Sequence, residues 1–136
     1  MYLNTNVQAD TYDFGAYSSP NGIFGSARQM DGKFYSGAND ASIGWTTASS
    51  IGYFSGSSVG SLHEQYKNGT SLGSGANADG RVAYDIHIGC VNNAGSDALH
   101  STRRFATLIF ASGLTDAEDT DIYNAVLTFN TALGRN

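Results

Sequence analysis

Leu62-His63-Glu64-Gln65-Tyr66-Lys67-Asn68-Gly69-Thr70-Ser71-Leu72 is the stretch that decides the fold. Asn-Gly accepts the two positive φ values of a type I′ turn, whose twist matches that of the strands it joins. Leu62 and Tyr66 fall on one face of the first run, and His63, Gln65 and Lys67 on the other. That alternation predicts a hairpin strand with one solvated side.

Outward from this hairpin the chain continues as short strands separated by turn residues. Upstream, Phe14–Ser18 is extended and ends at Ser19-Pro20-Asn21-Gly22, where proline presets φ and glycine tolerates the left-handed region. Ile23–Gln29 follows, then Asp31-Gly32 as a type I′ turn, then Lys33–Ser36. Ala41–Thr47, with Trp45, and Ile51–Ser55 are the next two strands. Downstream, Gly73–Gly80 reads as a loop. Val82–Cys90 reads as an alternating strand with Tyr84, Ile86 and Ile88 on one face and Asp85 and His87 on the other. A polar loop, Asn92–Thr102, leads to a last strand, Arg104–Ala111. Strands at such regular spacing predict an all-β protein, an antiparallel sandwich or jelly roll.

The chain ends differently. Thr115-Asp116-Ala117-Glu118 is a capping box, and Ile122, Val126, Phe129 and Leu133 follow at helical spacing with Tyr123 and Leu127 beside them. Asp116, Asp119 and Asp121 suit the positive end of the helix dipole, and Gly134-Arg135 closes the helix.

Bulk properties agree with one domain over residues 1–136. Charged residues are only 14% of the chain, against about 25% in an average soluble domain, and small polar residues and glycine take their place. The net charge is −5 and the seven Lys and Arg are dispersed apart from Arg103-Arg104, which argues against nucleic-acid binding. No apolar run is long enough to insert in a membrane. Met1-Tyr2-Leu3-Asn4 lacks the basic flank and apolar run of a secretory signal. The single cysteine, Cys90, excludes an internal disulfide and is expected at the end of a buried strand.

Four segments occur in an order that resembles a known family: Tyr66-Lys67-Asn68-Gly69; Ile86-His87-Ile88-Gly89 with Asn92-Asn93; Gly113-Leu114-Thr115-Asp116-Ala117-Glu118; and Leu127 to Arg135. The chain is similar, from about Gly52 onward, to the C-terminal part of concanavalin A-like (lectin/glucanase, laminin-G-like) jelly-roll domains of phage virion proteins. Asp13–Ser18 is similar to a recurrent strand of those domains. The resemblance implies an antiparallel jelly-roll sandwich with one C-terminal amphipathic helix. Such domains are longer at the N-terminus, so either this sandwich is reduced or a neighbouring subunit completes it.

Candidate chemistry is sparse. Glucanases of that fold need two carboxylates about 5 Å apart; Glu118 is spent on the helix cap and Glu64 has no carboxylate two residues away on its strand. Gly56-Ser57-Ser58-Val59-Gly60 has the letters of a nucleophile elbow but no helix after it, so it reads as a Ser/Gly-rich bend. No enzyme is expected. Asp85 and His87, two residues apart on one strand face, are a pair that could take a metal or a sugar hydroxyl. Trp45, Tyr53 and Tyr35 are rings of the kind that stack on sugars, and Asn92 and Arg103 carry groups that read hydroxyls. No cofactor is expected beyond calcium, for which Asn77 and Asp79 with the Asp97 loop offer oxygens. The expected function is a virion structural protein, a head decoration, fibre or tail subunit on the phage particle. It would be a homo-oligomer, as a trimer, contacting other virion proteins. The alternative is a carbohydrate-binding module for host surface glycans.

Overall fold

The computed structural model describes residues 1–19, 21–38, 41–76 and 82–135. Within them the protein is mostly β, with two sheets and one C-terminal helix, as the turn and strand pattern predicts. The strands are β1 (Tyr2–Leu3), β2 (Phe14–Ser18), β3 (Asn21–Ser26), β4 (Lys33–Ala38), β5 (Ala41–Thr46), β6 (Gly52–Val59), β7 (Leu62–Lys67), β8 (Thr70–Ala76), β9 (His87–Ile88), β10 (Val91–Asn93), β11 (Ser96–Ala98) and β12 (Phe105–Thr107). They are followed by helix α1 (Asp116–Ala132). One sheet runs β12-β1-β6-β7-β8. The other runs β11-β10-β2-β3-β4-β5, with β9 also pairing β2. All pairs are antiparallel except β10 with β2, which runs parallel.

The deciding hairpin forms as read. Asn68 and Gly69 have φ of 53° and 71°, the two left-handed residues of a type I′ turn, and β7 pairs β8 from Lys67↔Thr70 to Leu62↔Ala76. Asp31-Gly32 behaves otherwise. Only Gly32 has positive φ, and the Gln29 N–H donates to the Lys33 carbonyl at 2.8 Å, so this turn is longer than the expected two-residue type I′. β2 and β3 pair up to Ser18↔Asn21, which places Asn21-Gly22 inside β3; Pro20 lies outside the described residues.

Period-two alternation builds the core in two layers. Leu3 and Phe54 point inward, where with Met1, Ala27 and Phe34 they form the buried cluster between the sheets. Tyr2 and Tyr53, their strand neighbours, point outward and pack with Val126 under α1. Each buried Phe contributes about 2–3 kcal/mol of apolar transfer. The Phe34 and Phe54 rings meet at 5.1 Å across the sheet gap.

Three expectations are corrected. First, His63 and Gln65 are on the buried face of β7, at 1% and 0% exposure. That face meets the opposite sheet, where His63 bonds Ser36 and the Gln65 Nε2 donates to the Ile43 carbonyl, leaving Gln65 Oε1 buried without a partner, while Tyr66 is covered by α1 through Asp116. Second, Val82–Cys90 is not one strand. Only His87–Ile88 pairs, and Tyr84, Ile86 and Ile88 are exposed rather than core. Third, Asn92–Thr102 contains β10 and β11 instead of being only a loop, and Arg104–Ala111 shortens to β12.

The helix forms with its complete capping box, and Gly134 leaves it at φ 64°. Its buried stripe is Asp119, Val126 and Asn130. Phe129 and Leu133, expected on the packing face, are 54% and 48% exposed.

Candidate functional site

The structure separates the sequence candidates into two groups. Tyr53 and Arg103 are buried structural residues. The Tyr53 hydroxyl donates to the Asp119 carboxylate at 3.1 Å beneath the helix. Arg103 forms a 3.0 Å ion pair with Asp13 in which neither side chain touches solvent, and its guanidinium also bonds Thr11 and the carbonyls of Val7 and Arg28. Trp45 is half-buried, its ring pressed over Gly73, where a Cβ would lie 2.4 Å from it. Tyr35 donates to Asp31 at 2.7 Å. Tyr53, Arg103 and Tyr35 are engaged by these partners, and the Trp45 indole N–H is buried without one. Asn77 and Asp79, the calcium candidates, lie outside the described residues.

His87, Asn92 and Asp85 do converge, on the β9–β11 edge of the larger sheet. β9 and β10 both hydrogen-bond β2, placing His87 opposite Gly15 and Asn92 opposite Ala16. β11 then sets Asp97 opposite Asn92. His87 Nδ1 lies 2.5 Å from the Asp97 carboxylate, and Nε2 lies 3.3 Å from Asn92 Nδ2. Asn92 is itself pinned: its Nδ2 donates to the Asp85 carbonyl at 3.0 Å, and its Oδ1 accepts the Gly95 N–H at 2.8 Å. Asp85 thus contributes its backbone, not the carboxylate that the strand reading proposed. Gly89, at φ +84°, makes the tight turn that brings Cys90 back towards His87. Ligand atoms of His87, Cys90 and Asp97 all lie within 4.8 Å of one another. Burial and the nearby Asp97 charge both push the Cys90 thiol upward in pKa. Tyr84 is 41% exposed, with its ring 3.9 Å from where a Gly95 Cβ would be.

A second feature lies between the sheets. A cavity of about 340 Å³ is lined by Phe14, Phe24, Phe34 and Phe54 and bordered by residues 109–114. Phe110 meets Phe14 edge-on at 5.3 Å. At one wall His63 is held by two hydroxyls, Ser36 at 2.8 Å on Nε2 and Ser58 at 2.6 Å on Nδ1. Desolvation lowers its pKa to about 4, so His63 is neutral at physiological pH.

The carboxylates also meet in a way that sequence spacing hides. Tyr66 Oη sits 2.9 Å from Glu64 and 2.6 Å from Asp116, so the helix supplies the partner that the strand lacks. Both acceptors share one phenol, whose own ionisation is pushed upward by burial and by the two carboxylates. The trio fastens the start of α1 to β7.

Sequence reasoning missed Cys90 and the His87–Asp97 pairing as parts of one cluster. The available signal was the His-x-x-Cys spacing of His87 and Cys90, across a glycine able to turn the chain. No protein-family model, curated protein or solved structure matches this chain.

Proposed function

We propose that this chain is a non-catalytic structural component of a phage particle surface, a concanavalin A-like jelly roll that works as a homo-oligomer, a trimer, against other virion proteins. The observation that carries the proposal is the cavity of about 340 Å³ between the sheets, open beside residues 109–114 and walled in large part by Phe14, Phe24, Phe34 and Phe54. An apolar side chain from a second copy, entering beside residues 109–114, removes that apolar surface from water, at about 25 cal/mol per Å². The cavity's mouth is apolar: Ile109 and Phe110 line it at 44% and 53% exposure, and Val59, 58% exposed, stands beside Gly113. The resemblance to concanavalin A-like domains of phage virion proteins supports the same reading. Sedimentation equilibrium of the purified chain tests the reading: a discrete oligomer is expected at micromolar concentration, and a monomer at tens of micromolar would overturn it.

A second reading, binding of host surface glycans, has its own support. Tyr17 and Tyr84 are exposed aromatics, Tyr17 lies opposite Asn93 in register, and Tyr84 borders the polar β10–β11 turn. Rings of this kind stack on sugar faces while amides read hydroxyls. Binding on a glycan array that Tyr84→Ala removes would favour this reading; no signal with or without calcium would end it.

A further inference from the structure

We propose that His87, Cys90 and Asp97 form a site for one divalent transition-metal ion of the zinc class. The three residues come from β9, the turn after it and β11, and their ligand atoms are mutually within 4.8 Å. Zinc bond lengths of about 2.0 Å to nitrogen and oxygen and 2.3 Å to sulfur set ligand atoms roughly 3.2–3.7 Å apart. Closure therefore needs side-chain shifts of about 1 Å, with the backbone already in place through the strand register.

The second, independent observation is Cys90. It is 6% exposed, and among the described residues its thiol has no hydrogen-bond partner, although imidazole and carboxylate stand beside it. A buried thiol packed only as a hydrophobe has no need of that company. Coordination gives the sulfur a partner, releases the thiol proton to water, and replaces the His87–Asp97 hydrogen bond by two metal bonds. Thiolate and carboxylate together neutralise a dication. Sulfur with imidazole selects zinc or cobalt over calcium and magnesium, which prefer all-oxygen sets. The fourth position faces water, since the His87 and Asp97 side chains are 37% and 55% exposed.

Cobalt titration of the full chain, with its thiol kept reduced, tests the proposal. A thiolate-to-cobalt charge-transfer absorption should rise and saturate at one equivalent, collapse on adding zinc, and persist in excess calcium. Cys90→Ser should abolish the band, and His87→Ala and Asp97→Asn should each weaken cobalt affinity at least tenfold, with unchanged far-UV circular dichroism. His100→Ala should leave binding intact. Absence of the band, saturation above one equivalent, or unaltered affinity in both His87→Ala and Asp97→Asn would overturn the site. If Cys90→Ser does not fold, those two variants decide, because their side chains are largely outside the core.

Discussion

Arg103 is a charge that water does not reach. Its guanidinium satisfies Asp13, which in turn accepts from the Ala27 N–H and the Ser101 hydroxyl. The same guanidinium reaches carbonyls and a hydroxyl of the 7–11 segment, so one side chain ties that irregular segment to β2 and β3. Removing one partner of such a pair strands the other charge, so Arg103→Ala should destabilise the protein by about 3–5 kcal/mol in urea unfolding. Arg103→Lys should not restore it, because an ammonium cannot reach the fork of acceptors. His63 contributes to the pH dependence of stability. Its folded pKa is about 4, below the unfolded value of about 6.5, so the unfolded chain binds the proton first. Its contribution is intact above pH 6.5 and is lost as pH falls towards 4, by on the order of 3 kcal/mol. Thermal melts should therefore fall across that window in the wild type, and His63→Gln should flatten the part of the slope that His63 supplies.

Helix α1 is held by its first turn as much as by its apolar stripe. Thr115 accepts the Glu118 N–H, and the Glu118 carboxylate accepts the Thr115 N–H at 2.9 Å, which lowers its pKa. Thr115→Ala should cost about 1 kcal/mol by chemical denaturation. This element was legible in the sequence because a capping box and a C-terminal glycine are local signals, as was the Asn68-Gly69 turn. Side chains that the tertiary structure reassigns were not legible. β7 alternates as expected, yet its polar face is the buried one, because Ser36, Ser58 and the Ile43 carbonyl supply bonds to His63 and Gln65. Tyr84, Ile86 and Ile88 alternate like a strand, but only His87–Ile88 finds a partner in β2. β1 is two residues long, too short to leave a period. The candidate site was half visible: His87 was read with Asp85 as a pair for a metal or a sugar, and Asn92 separately as an amide that reads hydroxyls. Asp97 was read towards calcium and Cys90 as core, because only the β10–β11 pairing brings them to His87.

At the scale of the whole molecule, the balance between the two sheets is unequal. The smaller sheet is covered on its outer face by α1, whereas the cavity between the sheets opens beside residues 109–114 with Phe110 half in solvent. If a second copy fills that opening, association and folding are linked by mass action. The melting temperature must then rise with protein concentration, because dilution removes the subunit that stabilises the folded state. Phe110→Ser separates this from ordinary destabilisation. As an isolated chain it should lose only about 1 kcal/mol, the worth of one aromatic edge contact, since Phe110 is 53% exposed. In an oligomer it should also abolish the concentration dependence and shift sedimentation to the monomer. Scanning calorimetry over a hundredfold concentration range reads both effects. A melting temperature independent of concentration in the wild type would mean that the cavity is filled by water or left open, and that the apolar rim serves another contact.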